Sequence, residues 1–277
     1  MSGSEPLIGV FDSGVGGLTV VAALRQRLPA ASILYLGDTA RLPYGTKSRR
    51  TVLRYSQTNV DFLERRGVDA LVVACNTASA MALEDLVVRT PRWGVLEPGA
   101  SAAVAAAGRH VGVIATESTV RSGAYEHAIR RLKPELRVSQ QACPLLVPLV
   151  EEGWEDDEIT ERIVTRYLAP LLEAEIDTLL LGCTHYPLLR GVLARVCGPG
   201  VTLVDSAEST SLAVEQRLRR AGWRGGSAPR DPSVRLFATD AGSRFARLAE
   251  RILGEPAPLE WIDVNQAETQ PEEVKAP

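Results

Sequence analysis

No stretch of the chain reaches the roughly 18 consecutive apolar residues that a membrane-spanning helix needs. The N-terminal MSGSEPLIGVFDSG has neither the basic start nor the apolar centre of a secretory signal. These absences lead us to expect a cytoplasmic protein without a membrane partner. There is no C-x-x-C pair, and Cys75, Cys143, Cys183 and Cys197 stand far apart, which argues against a disulfide framework in a chain of that compartment. With only three histidines, a structural zinc site is not expected either. Basic blocks are also missing: 31 basic and 34 acidic residues are interspersed, for a net charge of -3. No stripe can track a phosphate backbone, so nucleic acid is set aside as a ligand.

What the chain does have is 277 residues with 45 % hydrophobic content, enough for two modest cores rather than one large one. Short runs rich in Val, Ile and Leu alternate with helical patterns. Strands are predicted at LIGVF (7–11), SILYLG (32–37), DALVVA (69–74), HVGVIA (110–115), RVSQQA (137–142), DTLLLG (177–182), VTLVD (201–205) and VRLFAT (234–239). Helical periodicity fills most intervals, as in GLTVVAALRQRL and STSLAVEQRLRRAG. Continuous apolar strands alternating with helices indicate an α/β fold with mainly parallel sheets covered on both faces.

The chain also resembles itself. IGVFDSG at 8 recurs as VGVIATE at 111, an offset of 103, and VDALVVACNT aligns with IDTLLLGCTH so that Cys75 and Cys183 are 108 apart. Asp69 and Asp177 each precede a cysteine by six residues. Two pseudo-symmetric α/β domains follow as the expectation. GVLEPGAS (94–101) is the expected boundary, with Pro98 and Gly99 between elements. The first domain then comprises 1–97 with 208–264, which returns to pack on it, and the second comprises 98–207. RGGSAPRDPS (224–233) reads as a loop and 265–277 as a disordered polar tail.

Cys75 and Cys183 fall where a strand ends and a helix begins, the edge at which open α/β sheets bind ligands. The positive end of a helix favours thiolate there, and a thiolate is both base and nucleophile. Cys143 and Cys197 lack polar companions and are expected to be core residues. Asn76, Thr77 and Thr184 suit either a carboxylate at a helix N-terminus or ordinary capping. His185 stands ready to share a proton with Cys183.

The turn FDSGVGGLT, with Asp38 at the end of the next strand, suggests a dinucleotide site as a competing reading. Gly14, Gly16 and Gly17 do not match G-x-G-x-x-G, however, and Asp12 would stand beside a pyrophosphate. An acid there suits an α-ammonium, with Ser13 as a further partner, unless the two merely cap the first helix. LGDTARLPYGTKS places Tyr44 and Gly45 in a loop that lacks phosphate-loop spacing. The acidic run after PLVPLV begins at Glu151 and reads as a solvated helix start.

Together FDSGVGGLTV, GDTARLPYGTKS, VVACNTASA, GVIATEST, PLVEEG and LLGCTHYPLL resemble the glutamate racemase family, over about residues 7 to 262. The resemblance implies two α/β domains with the active site in the cleft between them, one catalytic cysteine from each, and no cofactor or metal. It implies that Cys75 and Cys183 are the acid/base pair, assisted by Asp12 and His185. Ser13, Asn76, Thr77 and Thr184 would hold the α-substituents, the Tyr44 and Gly45 backbone would fix the side-chain carboxylate, and Glu151 would couple to His185. The implied substrate is glutamate, and the implied role is supply of D-glutamate for peptidoglycan. Homodimerisation is left open. An aspartate racemase of the same architecture, a nicotinamide-dependent dehydrogenase and a non-catalytic amino-acid-binding module are the alternatives.

Overall fold

The structure is a computed structural model, in which residues 6–223, 234–240 and 243–264 are described; the expected loop at 224–233 and tail at 265–277 lie outside them. Ten strands form two wholly parallel sheets. The first contains β1 (Leu7–Asp12), β2 (Ser32–Gly37), β3 (Ala70–Val73) and β4 (Arg92–Gly94). The second contains β5 (His110–Ala115), β6 (Arg137–Ala142), β7 (Thr178–Gly182) and β8 (Thr202–Asp205). β9 (Val234–Ala238) and β10 (Leu259–Trp261) extend the first sheet beyond β2.

The strand orders are β10-β9-β2-β1-β3-β4 and β6-β5-β7-β8. Without β9 and β10 the two sheets have the same order, second-first-third-fourth. The 103-residue offset superimposes β1 on β5, and the 108-residue offset superimposes β3 on β7. Even the aspartates correspond. Asp69 Oδ2 accepts the Leu7 N–H at 2.9 Å, and Asp177 Oδ2 accepts the Arg109 N–H at 2.7 Å. Each carboxylate thus ties down the start of the neighbouring strand, a structural duty at the opposite end of the sheet from the cysteines.

Parallel strands need crossovers, and among the described residues eleven α-helices supply them and cover both faces. α1 (Leu18–Arg27), α10 (Ser206–Arg220) and α11 (Ser243–Leu253) bury Leu18, Leu24, Val214, Phe245 and Leu248 on one face of the first sheet. α2 (Arg49–Arg65) and α3 (Asn76–Met81) cover the other with Val52, Val60, Leu63 and Ala78. On the second sheet, α4 (Leu96–Ala106) and α6 (Ala124–Leu132) take one face. α7 (Leu146–Glu152), α8 (Glu158–Glu173) and α9 (Arg190–Cys197) take the other, and α5 (Glu117–Ser122) follows β5.

Local chemistry sets several helix starts. Ser48 accepts the Thr51 N–H, Asp157 the Ile159 N–H and Asp205 the Glu208 N–H, each satisfying a donor that the first turn leaves free. The chain passes between the sheets at β4–α4 and again at β8–α10. At the first passage the expectation of irregular chain around Pro98 is corrected: Pro98 and Gly99 lie inside α4. Proline is tolerated in a first helical turn because its missing N–H has no partner there. No helix among the described residues is long and apolar enough to cross a membrane.

Candidate active site

Asp12, Ser13, Cys75, Asn76, Thr77, Thr184 and His185 gather at the C-terminal ends of β1, β3 and β7, while Tyr44 and Gly45 follow β2 and Glu151 comes from α7. β3 runs out two residues before Cys75, which becomes the N-cap of α3, and β7 runs out immediately before Cys183. Cys75 Sγ accepts the Ala78 N–H at 3.5 Å and lies 3.7 Å from Ser13 Oγ. Cys183 Sγ lies 3.9 Å from His185 Nδ1, and the other ring nitrogen of His185 lies 3.3 Å from Glu151 Oε1. Both thiols are nearly closed off, at 4 % and 6 % exposure.

The two sheets' loops touch through these residues. Thr184 Oγ1 donates to Asp12 Oδ1 at 3.5 Å, and Thr19 Oγ1 donates to the Thr184 carbonyl at 3.0 Å. Asp12 also accepts the Gly14 N–H at 3.0 Å. The capping alternative survives in part: Gly17 is the N-cap of α1, and the Asp12 carboxylate accepts main-chain N–H groups from Gly14 and Gly17 as the chain enters that helix. The glycines of this turn serve close packing: a β-carbon on Gly16 would stand 2.4 Å from His185 Nδ1 and 2.5 Å from Thr184 Oγ1. The space a dinucleotide phosphate would need beside Gly16 is filled by the second sheet's loop.

Burial governs the proton affinities. Loss of water pushes Cys75 up to about 12, with the Asp12 charge adding to the effect and the Ala78 N–H and Ser13 opposing it. The expectation of a thiolate favoured by the helix end is therefore corrected for Cys75: desolvation outweighs the helix dipole. Burial likewise raises Asp12, against the opposing charge of His185. His185 is also raised, but against the effect of burial. Burial disfavours its cation, but hydrogen bonds to Cys183 and Glu151 and the charges of Cys183 and Asp12 outweigh this and raise it to about 10. Glu151 falls below the usual carboxylate range because His185 and Arg244 overcome its partial burial.

Asn76 and Thr77 face the same seam. Asn76 Nδ2 donates to Tyr125 Oη at 2.6 Å and to Ser206 Oγ at 3.4 Å, while its Oδ1 is buried with no partner. Thr77 Oγ1 forms a triangle with Thr116 Oγ1 at 3.0 Å and Thr119 Oγ1 at 3.2 Å, from the start of α5. Thr116, Thr119, Tyr125 and Ser206 were not singled out by sequence. The internal repeat held the signal for one of them, because the 103-residue offset puts Thr116 where Ser13 stands. Tyr44 and Gly45 open a short 3-10 turn, and a β-carbon on Gly45 would stand 2.8 Å from Thr116 Cβ. The Tyr44 ring points away into the core, donating to Asp38 Oδ2 at 2.5 Å and accepting from Asn59 at 3.1 Å. Glu151 lies in the last turn of α7 rather than beginning a helix, and the acidic run continues to the start of α8. Cys143 is fully buried in the second sheet's core and Cys197 packs at its edge.

A cavity of about 850 Å³ opens elsewhere, where β4, α4, β8 and α10 meet beside Arg92, Trp93 and Arg190. None of the candidate residues lines it. Chemistry rather than volume identifies the site: two enclosed thiols, one from each sheet, with different proton partners.

A profile of the Asp/Glu/Hydantoin racemase family matches residues 18–214. The chain is 51 % identical to the glutamate racemase of Geobacter metallireducens over 255 residues, covering 89 % of this chain and 92 % of the relative. It is 49 % identical to that of Syntrophus aciditrophicus, covering 91 % and 94 %. The crystal structure of glutamate racemase isoform RacE1 from Bacillus anthracis superimposes with a TM-score of 0.89 at 40 % identity, over 94 % of this chain and 98 % of that one. The chain belongs to the Asp/Glu/hydantoin racemase family. Within that family its sequence stands with the glutamate racemases: an aspartate racemase from Picrophilus torridus, at 18 % identity and a TM-score of 0.58, shares the fold alone.

Proposed function

We propose that the protein interconverts L- and D-glutamate without a cofactor, using Cys75 and Cys183 as acid and base on opposite faces of Cα. One observation carries this reading: equivalent strand ends of two like sheets each deliver an enclosed thiol to the same seam. Racemisation removes the α-proton from one face and returns a proton to the other, so a single group would have to cross the molecule. In one direction the thiolate of one cysteine takes the α-proton and becomes a thiol. The thiol of the other gives its proton to the opposite face and is left as thiolate. In the reverse direction the roles exchange.

The α-proton is much less acidic than a thiol, and the chain's own groups narrow the gap. Asp12 keeps the substrate ammonium protonated, and Ser13, Thr77 and Thr184 donate to the α-carboxylate as it gains charge. The partnerless Asn76 Oδ1 is an acceptor and supports a contact to the α-ammonium. The backbone at Tyr44 and Gly45, beside Thr116, takes the side-chain carboxylate. His185 passes a proton to and from Cys183, with Glu151 holding its far nitrogen. Enclosure raises the proton affinity of the Cys75 thiol and strengthens each of these contacts.

The glutamate racemase of Francisella tularensis, 34 % identical with a TM-score of 0.87, was crystallised in complex with D-glutamate, which supports glutamate as the substrate here. The reading includes residues 1–97 with 208–264 as the Cys75 domain, 98–207 as the Cys183 domain, a cytoplasmic location and supply of D-glutamate to the cell wall.

The test is incubation with L-glutamate in deuterated water without added cofactor. The α-hydrogen should exchange and the optical rotation decay, with aspartate turned over far more slowly. Cys75→Ser and Cys183→Ser should each lower turnover by about 10²- to 10⁴-fold while remaining folded. No exchange in the unmodified protein removes the assignment, and full turnover in both variants removes the two-thiol mechanism.

A further inference from the structure

Two arginines of α11 reach across to the end of α7. Arg244 Nε donates to the Glu151 carbonyl at 3.1 Å, and its Nη2 donates to Glu152 Oε1 at 2.8 Å. Arg251 Nη2 donates to the Val150 carbonyl at 3.1 Å and to Glu155 Oε1 at 2.5 Å. The two helices belong to different sheets. α11 buries Phe245, Leu248 and Ala249 in the first sheet's core, and α7 buries Leu146, Leu149 and Val150 in the second's.

The spacing has a physical logic. Arg244 and Arg251 are two helical turns apart, so their side chains leave α11 from one face. α7 is only seven residues long and stops at Gly153 in the left-handed conformation. The last carbonyls of a helix have no partner within it, and that end carries partial negative charge, so a guanidinium is held there by both effects. Exposed ion pairs such as Arg244 with Glu152 contribute little by themselves. The bonds to the two carbonyls matter more, because they fix the backbone that carries Glu151. From there the chain of contacts continues through the Glu151 carboxylate to His185 and on to Cys183 Sγ.

We propose that Arg244 and Arg251 are positioning residues, clamping the C-terminal turn of α7 to α11 and so holding Glu151 against His185 beside Cys183. The proposal rests on the reading of Cys183 and His185 as a proton-transfer pair. It makes α11, the last helix among the described residues and one to which none of the bonds of the two thiols leads, part of what sets the proton partner of one of them.

The experiment compares kcat and KM for glutamate in the unmodified enzyme, Arg244→Gln, Arg251→Gln, Glu152→Gln, Glu151→Gln and the Glu151→Gln/Arg244→Gln double variant. The exposed positions of the two arginines allow both single variants to fold, which a thermal melt checks. Each arginine variant should lower kcat by about fivefold or more, with KM within about twofold, as misplacement of a proton partner predicts. In the Glu151→Gln background the Arg244 substitution should cost less than about a further twofold, the signature of two residues acting in one path. Glu152→Gln should match the unmodified enzyme, since it leaves the carbonyl bonds in place.

An unchanged kcat in the arginine variants overturns the proposal. So does a full Arg244 effect in the Glu151→Gln background, or a Glu152→Gln loss as large as that of Arg244→Gln. Absence of racemisation in the unmodified enzyme removes instead the functional reading on which the clamp depends.

Discussion

Gly16 and His185, from different sheets, approach so closely that a side chain on the first would occupy the position of the second's ring: a β-carbon would lie 2.4 Å from Nδ1. His185 has little room to retreat, being buried and held by Glu151.

Gly16→Ala therefore tests how tightly the two sheets' loops must fit. The backbone there is one that alanine can adopt, so the effect is steric. We expect a loss of turnover of about 10²-fold from displacement of His185 and Thr184, with a stability cost of about 1–3 kcal/mol for the overpacking. Thermal melts and a racemisation assay read the two effects separately. A variant with normal turnover and an unshifted melt would show that the seam opens freely.

His185 should leave a mark on the pH dependence of stability. Its proton affinity rises from an ordinary 6.5 to about 10 in the folded state. Between those values the native protein holds a proton that the unfolded chain releases. The stabilisation is therefore complete below about 6.5 and disappears as pH rises through 10. Urea midpoints measured from pH 6 to 10 should fall more steeply in the unmodified protein than in His185→Gln. Parallel profiles would mean that the imidazolium is no better held in the fold than in the unfolded chain.

Tyr44 illustrates the difference between a motif residue and a contact residue. Its hydroxyl is committed to the fully buried Asp38, which Thr239 also supports at 3.1 Å, and to Asn59. Tyr44→Phe should cost about 1–3 kcal/mol, because a buried carboxylate loses a donor. KM for glutamate should change by no more than about twofold, since only backbone from this turn is assigned to the substrate. A large rise in KM with unchanged stability would place the hydroxyl in the ligand's path.

Much of this was legible in the sequence because the fold repeats itself. Eight of the ten described strands were legible, seven from their apolar runs and β6, RVSQQA, from its place in the alternation. β4 and β10 were not, being three residues long and lying at sheet edges, where partly exposed residues such as Arg92 and Glu260 carry no buried pattern. The ungapped alignment of VDALVVACNT with IDTLLLGCTH pointed to both cysteines, yet it also matched Asp69 with Asp177, whose carboxylates secure strand starts at the far end of the sheets. Spacing shows that two residues share a role without showing which role. The proton affinity of Cys75 was misjudged for a related reason: the helix end beside it is local and visible in the sequence, whereas its burial depends on packing between distant segments. The arginines of α11 gave no signal at all, since two of their partners are main-chain carbonyls, which every residue has, and the other two are carboxylates distant in the sequence.

The two thiols occupy like positions but have unlike companions, a hydroxyl and a main-chain amide for Cys75 and an imidazole for Cys183. Mirror-image substrates have equal free energies in water, so the reaction's equilibrium constant is one. The ratio kcat/KM must then be the same in both directions, however different the two halves of the site have become. If Cys75 and Cys183 are the acid/base pair proposed above, the inequality between them can appear only in kcat and KM taken separately, with one enantiomer bound more tightly and turned over correspondingly more slowly. Drift between the two repeats therefore shifts which hand of the substrate saturates the protein without ever biasing which hand accumulates.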